Sequence, residues 1–402
     1  HSSSDGEVIV YLYEENKENL FSMLDGMFSI SIWDNKKKKL IIARDTAGEK
    51  PLYYTHNRNS NFVYASEIKS VIKGPNVSKD INYQSIWDFP TFLWVPEPNT
   101  IYQDIKALRP GHYLTVENEK IEEIDYRTPQ YNKPLPINTN ELIEETRRVV
   151  EKSVIDRLMS DVPVGAFLSG GLDSSIITSI ASKNLDSLDT FTIGFDDLFD
   201  PYHGRSDESI QAIQFAKEIG SHHHTIEVNG NDIRDSLLEF CKFGDQPFGV
   251  SSGLGILEIA KHAKNSGIKV LLSGDGADEC FGGYSWYSHL ENNILPTFQE
   301  TKEPISFQNF GIPIESRLEN INSYSNYKKA WAWHYYAAEI EKSKLFNNDL
   351  IENTHSSLEW FSYYGKVNKW SARDFIHQDR DFYFPNEMLK KVDRMTMAHS
   401  IE

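Results

Sequence analysis

The first 125 residues alternate in short runs. MFSISIWD (27–34) sets apolar positions against small or polar ones, and KLIIARD (39–45), PLYY (51–54) and NFVYASE (61–67) are rich in β-branched and aromatic residues. Asn, Lys, Gly and Asp fill the connections, so strands separated by turns are expected here. NKKKK (35–39) reads as a solvated hairpin tip and GHYLTVENEKIEEIDYR (111–127) as one more hairpin. YRTPQYNKPLPINTNE (126–141), with three prolines among Asn and Thr, breaks the pattern and marks a linker.

After the linker the period becomes helical. ELIEETRRVVEKSVIDRLM (141–159) predicts a helix, VPVGAFL (162–168) a buried strand, and SSIITSIASK (174–183) a helix. LDTFTIGF (188–195), DESIQAIQFAKEIG (207–220) and HHHTIEV (222–228) continue as strand, helix and strand. Helices through LLEFCKF (237–243) and LEIAKHAKNSG (257–267) lead to a strand at IKVLLSG (268–274). Strands alternating with helices predict a doubly wound parallel α/β sheet. From 285 to 380, aromatic and charged positions at helical spacing, as in KKAWAWHYYAAEIEKSK (328–344), predict added helices. The expected organisation is a β-rich domain over 1–125, a linker over 126–140 and an α/β domain over 141–402.

Length and charge narrow the function. A chain of 402 residues suits two or three domains. A net charge of -18 argues against a general nucleic-acid or anionic-membrane binder, because phosphate backbones reward basic surfaces. No apolar run approaches the roughly 18 residues of a membrane span, and no signal peptide is visible. Two cysteines, Cys241 and Cys280, argue against a disulfide framework; both are expected as core thiols in a reducing, cytoplasmic setting.

Two loops carry chemistry. FLSGGLDSSI (167–176) follows a buried strand and opens a helix. Gly170 and Gly171 let backbone N–H groups turn towards an anion, and the helix start adds positive potential. Ser169, Ser174 and Ser175 offer hydroxyls. The lysine of the common phosphate loop is missing, and Asp173 stands in its vicinity instead. A carboxylate fits beside phosphates when Mg²⁺ lies between them; the alternative is a tight Gly-Gly turn with Asp173 as N-cap. The second loop, VLLSGDGADECFGGY (270–284), repeats Ser-Gly at Ser273 and Gly274, then sets Asp275, Asp278 and Glu279 among glycines. At strand ends facing one crevice, Asp173 and Asp278 could share one Mg²⁺.

SGGLDSS resembles the pyrophosphate loop of N-type ATP pyrophosphatases. With LSGDGADECFGGY and KVDRMTMAHSIE (391–402), it resembles the synthetase domain of glutamine-hydrolysing asparagine synthetases. SDGEV (4–8), LDGMFSISIWD (24–34), ARDTAGEKPLYY (43–54) and YASEIKSV (64–71) resemble the second half of that family's class II glutaminase domain. The resemblance implies a partial Ntn-hydrolase-type antiparallel β sandwich followed by the α/β synthetase domain. It implies ATP and Mg²⁺, glutamine as ammonia source, and aspartate as acceptor, giving asparagine with AMP and pyrophosphate; a homodimer is one assembly open to it.

By the same matches, residues Leu168, Ser169, Gly170, Gly171, Leu172, Asp173, Ser174, Ser175, Ile193, Ser273 and Gly274 would hold the nucleotide and its pyrophosphate. Asp173 and Asp278 would hold the metal. Asp275 would meet the acyl substrate, and Lys391 and Arg394 would stabilise the leaving group unless they are ordinary helix-surface charges. Asp5 would bind the glutamine amino group, or else serve a helix start.

The chain departs from the pattern in three places. No cysteine precedes Cys241, although the family's glutaminase uses an N-terminal cysteine, and the family's pattern runs past Glu402; truncation at both ends is expected. Asp275 stands where asparagine synthetases have glutamate, so amidation of a cell-envelope or secondary-metabolite carboxylate stays open beside aspartate. β-Lactam-type ring closure and an inactive nucleotide-binding homologue are further alternatives. His222, His223 and His224 look like a metal cluster, yet neighbours on a strand face opposite ways. Ser251 in PFGVSS (247–252) is a minor substrate-side candidate.

Overall fold

A computed structural model describes residues 4–56, 62–118, 120–127, 138–195, 208–284, 287, 336–337, 339–366 and 371–402. They form two compact units. One comprises His1–Asn132, Asp245–Phe248 and Tyr284–Lys390; the other comprises Lys133–Gly244, Gly249–Gly283 and Lys391–Glu402.

The first unit holds two antiparallel sheets. Strands β1 (Ser29–Asp34), β2 (Lys39–Arg44), β6 (His112–Glu117) and β7 (Lys120–Asp125) pair in the order β1-β2-β6-β7. Strands β3 (Tyr53–Thr55), β4 (Val63–Ala65) and β5 (Ile105–Ala107) pair as β4-β3-β5. Period-two alternation builds the layers. Ile41 and Ala43 pack on Tyr13, Leu20 and Phe21 from helix α1 (Glu7–Asn16) and the 3₁₀ turn after it. Ile42, between them, faces the opposite way and clusters with Leu114 of its own sheet, with Tyr54 of the second sheet, and with Leu52 and Leu108 beside that sheet. Tyr53 then turns its back on that layer and packs on Ile68 and Val71 of α2 (Ile68–Val71). The result is a β sandwich with helix on each outer face.

Besides the short α2, two helices interrupt what reads in sequence as strands and turns. One is α1. The other is α3 (Tyr83–Phe92), whose start is capped by the Asn82 side chain accepting N–H bonds from Gln84 and Ser85. Pro90 lies in its last turn, where the helix is about to end at left-handed Leu93. The added helices expected over 285–380 are described only in part: Glu339–Leu345, Asn348–Glu352 and Ala372–Gln378 are helical, while 285–286, 288–335, 338 and 367–370, like 128–137 of the linker, lie outside the described residues.

β2 ends in a buried polar cluster. The Asp45 carboxylate accepts backbone N–H bonds from Gly48, Glu49 and Lys50 at 2.6, 3.0 and 3.0 Å, which shapes the turn after the strand. Arg44 donates to the carbonyls of Gly48, Lys50 and Leu108 and pairs with Glu97 at 2.6 Å. The other Glu97 oxygen is 2.8 Å from Lys390. Burial alone would raise the Glu97 carboxyl, but the two adjacent cations overcome it and hold it at about 2.

The second unit is a four-stranded parallel sheet. β8 (Val164–Phe167), β9 (Asp189–Phe195), β10 (His222–Val228) and β11 (Val270–Leu272) lie in the order β10-β9-β8-β11. Helices cover both faces. Ala166 points to Val154 of α4 (Thr139–Arg157) and Ala181 of α5 (Leu172–Asn184). Phe167, the next residue, points to the other face, where Ile259, Ala260 and Ala263 of α8 (Ser252–Asn265) pack on Phe191 and Ile226. α6 (Ser209–Ile219) and α7 (Gly230–Gly244) complete the crossovers. Ile401 joins the α8 cluster, and Glu402 forms one parallel rung beside β11, donating to the Lys269 carbonyl at 2.9 Å and accepting from Leu271 at 2.7 Å.

Three expectations meet side-chain detail here. Cys241 and Cys280 form no disulfide and are exposed, not core thiols; Cys241 lies on the outward side of amphipathic α7. The histidine run is tied into the sheet: His223 Nδ1 lies 3.0 Å from Thr190 Oγ1, while His224 bonds Asp189 at 2.7 Å and stacks on Phe191. Among the described residues no helix is long and apolar enough to cross a membrane.

Replacing Glu97 with Gln leaves two buried cations short of their counter-charge. We expect a loss of about 3–5 kcal/mol at pH 7. The depressed carboxyl contributes its stability in full above its ordinary range near 4.5 and loses it as pH falls towards about 2. The gap between wild type and Glu97→Gln in urea unfolding therefore narrows through that window; a pH-independent gap would refute the electrostatic account.

Candidate functional site

The second unit runs outward from β8 through β9 to β10, then returns to place β11 on the other side of β8. Strand order reverses between β8 and β11, the point at which doubly wound sheets open a ligand crevice at the carboxyl ends. Both motif loops leave the sheet there.

The first loop is shaped by close backbone contact. Leu168 donates its N–H to Phe191 at 2.9 Å and buries its side chain beside Ala212 and Ala216 of α6. Gly170 has φ +82, and a Cβ on it would come within 2.7 Å of Gln211 Cβ and 2.9 Å of the Ala212 nitrogen. Only glycine meets both demands. Ser169 Oγ accepts the Gly171 N–H at 3.2 Å and lies 3.1 Å from Ser174 Oγ, which itself accepts the Ser169 N–H at 3.2 Å. This hydroxyl pair closes the loop on itself.

α5 begins at Leu172, with Gly171 as N-cap and no side-chain cap. Asp173 is therefore a first-turn acid, not the cap. Among the described residues no side chain caps the first-turn amides, the arrangement that suits an anion. Leu172 is exposed and Ser175 partly buried. Ile193, on β9, packs into the α8 cluster.

The second loop touches the first. A Cβ on Gly274 would lie 3.0 Å from the Ser174 nitrogen and 3.1 Å from Asp173 Cβ, so the two loops meet backbone to backbone. Gly276 (φ +95) opens the short helix α9 (Ala277–Phe281) and Gly282 (φ +72) ends it. A Cβ on Gly283 would overlap the Asp278 carboxylate. Ser273 donates to Asp275 at 2.7 Å and accepts the Asp275 N–H at 3.2 Å, leaving that carboxylate exposed. Glu279 is buried.

Asp173 and Asp278 come together from these loops. Burial raises both carboxyls above their ordinary range, and the Asp173 charge pushes Asp278 further in the same direction. Among the described residues, no lysine or arginine offsets either one. Two carboxylates gathered without a cation fit a divalent ion. The pair also suits Mg²⁺ in number: among the described residues no three His, Cys, Asp or Glu cluster as a cage, and Mg²⁺ is ordinarily held by one or two carboxylates with the rest from water and phosphate.

The other candidates have local surroundings of their own. Lys391 and Arg394 are not surface charges; they are 6% and 7% exposed on the helix Lys390–Met397. Arg394 donates to the Gly244 carbonyl, and the Lys391 stem runs 3.4 Å from where a Gly253 Cβ would stand. Ser251 is exposed just ahead of α8. Asp5 is exposed in the turn before α1, whose N-cap is Gly6. The close approach at Gly274 is the feature that sequence did not reveal, since a glycine after a strand could serve the turn alone.

The Asparagine synthase family model matches residues 145–402, and a Glutamine amidotransferase domain model matches 1–127. The chain belongs to the asparagine synthase family. It is 30% identical to asparagine synthetase [glutamine-hydrolyzing] 1 of Bacillus subtilis over all of this chain and 63% of that protein. It is 28% identical to asparagine synthetase [glutamine-hydrolyzing] 3 of the same organism over all of this chain and 62% of that one. The chain thus spans less than two thirds of these family members. Among solved structures, NMN synthetase from Francisella tularensis matches 56% of this chain and 95% of its own at 11% identity, with a TM-score of 0.27, too distant to bear on the site.

Uncompensated repulsion has a stability signature. Asp278→Asn keeps the shape that fits against Gly283 and should stabilise the metal-free protein at pH 7 by a few tenths to about 1 kcal/mol. A raised carboxyl penalises the fold above its folded-state value and not below its ordinary one, so the gain fades as pH falls through the carboxylate range. Thermal unfolding without and with Mg²⁺ checks this; a variant less stable than wild type without metal would sink it.

Proposed function

We propose that this chain is part of a glutamine-dependent carboxylate-amide ligase that activates its acceptor as an acyl-adenylate. The observation that carries the reading is the Asp173–Asp278 pair, held without a cation where two glycine loops meet at the strand-order reversal.

A carboxylate is a poor acyl donor because oxide is a poor leaving group. Attack by an acceptor oxygen on the α-phosphorus of ATP forms the acyl–O–P bond and breaks the bond to pyrophosphate. Ammonia then attacks the acyl carbon, AMP leaves with the former carboxylate oxygen, and a proton is released. The chain's part is to hold the departing pyrophosphate as charge builds on it. The open amides of α5 and the hydroxyls of Ser169, Ser174 and Ser175 would do so, with Leu168, Gly170, Gly171, Leu172, Ile193, Ser273 and Gly274 forming the nucleotide cradle. Asp173 and Asp278 would hold Mg²⁺, which when bound neutralises phosphate charge. Lys391 and Arg394 would add fixed positive charge.

Asp5 would orient glutamine, the ammonia source, in the N-terminal unit. Asp275 would face the acceptor, for which aspartate is the first choice. Its exposed, Ser273-bound carboxylate is one methylene shorter than the glutamate of asparagine synthetases. That leaves more room and favours, as second reading, a larger envelope or secondary-metabolite carboxylate.

The test is an amide-formation assay with ATP, Mg²⁺, ammonia and a panel of carboxylic acids. AMP and pyrophosphate should appear only with the true acceptor; ADP would sink the adenylation mechanism. Asp173→Ala should cut AMP formation at least about 100-fold, the scale of losing a charge-stabilising group, with unfolding still cooperative. Unchanged turnover would remove Asp173 from the site.

A further inference from the structure

The first turn of α8 carries two glycines, Gly253 and Gly255. Glycine is a poor helix former, so a pair of them in one turn needs a reason outside the helix. Residues two apart on a helix lie about 200° apart around its axis. The two glycines therefore face opposite sides, and each meets a different neighbour within the second unit.

On one side, a Cβ at Gly253 would stand 2.8 Å from Phe240 Cε2, 3.4 Å from Lys391 Cγ and 3.5 Å from Met395 Cγ. Phe240, Lys391 and Met395 are all buried, so this wall has little room to retreat. Arg394, between Lys391 and Met395, donates to the carbonyl of Gly244 at the end of α7 and ties the same segment down. On the other side, a Cβ at Gly255 would stand 3.0 Å from Ile193 Cδ1. The Ile193 side chain packs from β9 into the α8 cluster. The two flanks differ in chemistry. Lys391 brings a cation, which suits phosphate. Ile193 is aliphatic, has no donor for phosphate, and suits only the base or ribose of a nucleotide.

We infer that the first turn of α8 is a spacer between the two ends of the nucleotide site, with Gly253 the positioning residue for Lys391 and Gly255 the positioning residue for Ile193. A helix backbone bare of side chains on both flanks sets how far apart those two residues stand. The spacer rests on the reading above, in which Lys391 serves the pyrophosphate and Ile193 the nucleotide cradle. A methyl added to either glycine crowds one flank and leaves the other as it was.

Calorimetry on the whole chain reads the flanks separately, with pyrophosphate and Mg²⁺ for one and AMP for the other. Gly253→Ala should weaken pyrophosphate about 3- to 30-fold and leave AMP within about twofold, and Gly255→Ala should do the reverse. Ile193→Val removes the atom that the new Gly255→Ala methyl meets, so adding it to that variant should return part of the AMP affinity. Alanine is the better helix former, so α8 itself is not weakened by either change. Cooperative thermal unfolding checks the fold; if Gly253→Ala fails it, the Gly255 arm decides alone. Losses that fall on both ligands alike, or on neither, would overturn the spacer. A wild type that fails to bind either ligand would instead sink the nucleotide-site reading, and the spacer with it.

Discussion

Asp173 and Asp278 repel each other, and the backbone contact at Gly274 keeps them together anyway. Everything else at the crevice follows from that constraint. The strands must end at the same height, so the apolar runs of β8 and β11 stop together in register. The loops must pass without side chains between them, so glycine occupies 170 and 274. The Asp278 carboxylate must fold back over a residue without Cβ, so Gly283 follows. Folding energy from the sheet is spent on holding two like charges apart from any cation, a cost expected at functional sites and rarely elsewhere.

Glu97 is the opposite case. It is buried, yet it has two cations in contact and its carboxyl is driven down, not up. The two sites use the same chemical group, and desolvation pushes the carboxyl up in both, more so at buried Glu97 than at the partly buried loop acids. What differs is whether the chain supplies the counter-charge. Where it does, the group serves as a fixed joint; where it does not, the group is left to bind something.

Much of this was legible in the sequence, for identifiable reasons. The parallel sheet showed because β8 and β11 are short, apolar and followed by Ser-Gly, and the loop acids showed because carboxylates among glycines at strand ends are hard to explain structurally. α3 was not legible: its Pro90 argues for a loop, and only the Asn82 cap and burial of Trp87 and Phe92 override it. The cysteines misled because free cysteine is usually buried. The Arg44–Glu97–Lys390 chain could not be seen at all, since its members come from three distant segments and no local period marks a charge as buried. Lys391 and Arg394 look like helix-surface charges for the same reason.

The missing phosphate-loop lysine bears on the order of events. A lysine beside Asp173 would pair with it permanently and remove the electrostatic reason to take up a cation. With no such lysine, the crevice is acidic until a cation arrives, and a bare nucleotide would meet two carboxylates. Under the adenylation reading, ATP and Mg²⁺ enter most favourably together, because each cancels the charge that makes the other unwelcome. The buried cations of the Lys390–Met397 helix do not alter this, since neither offsets the carboxylate pair.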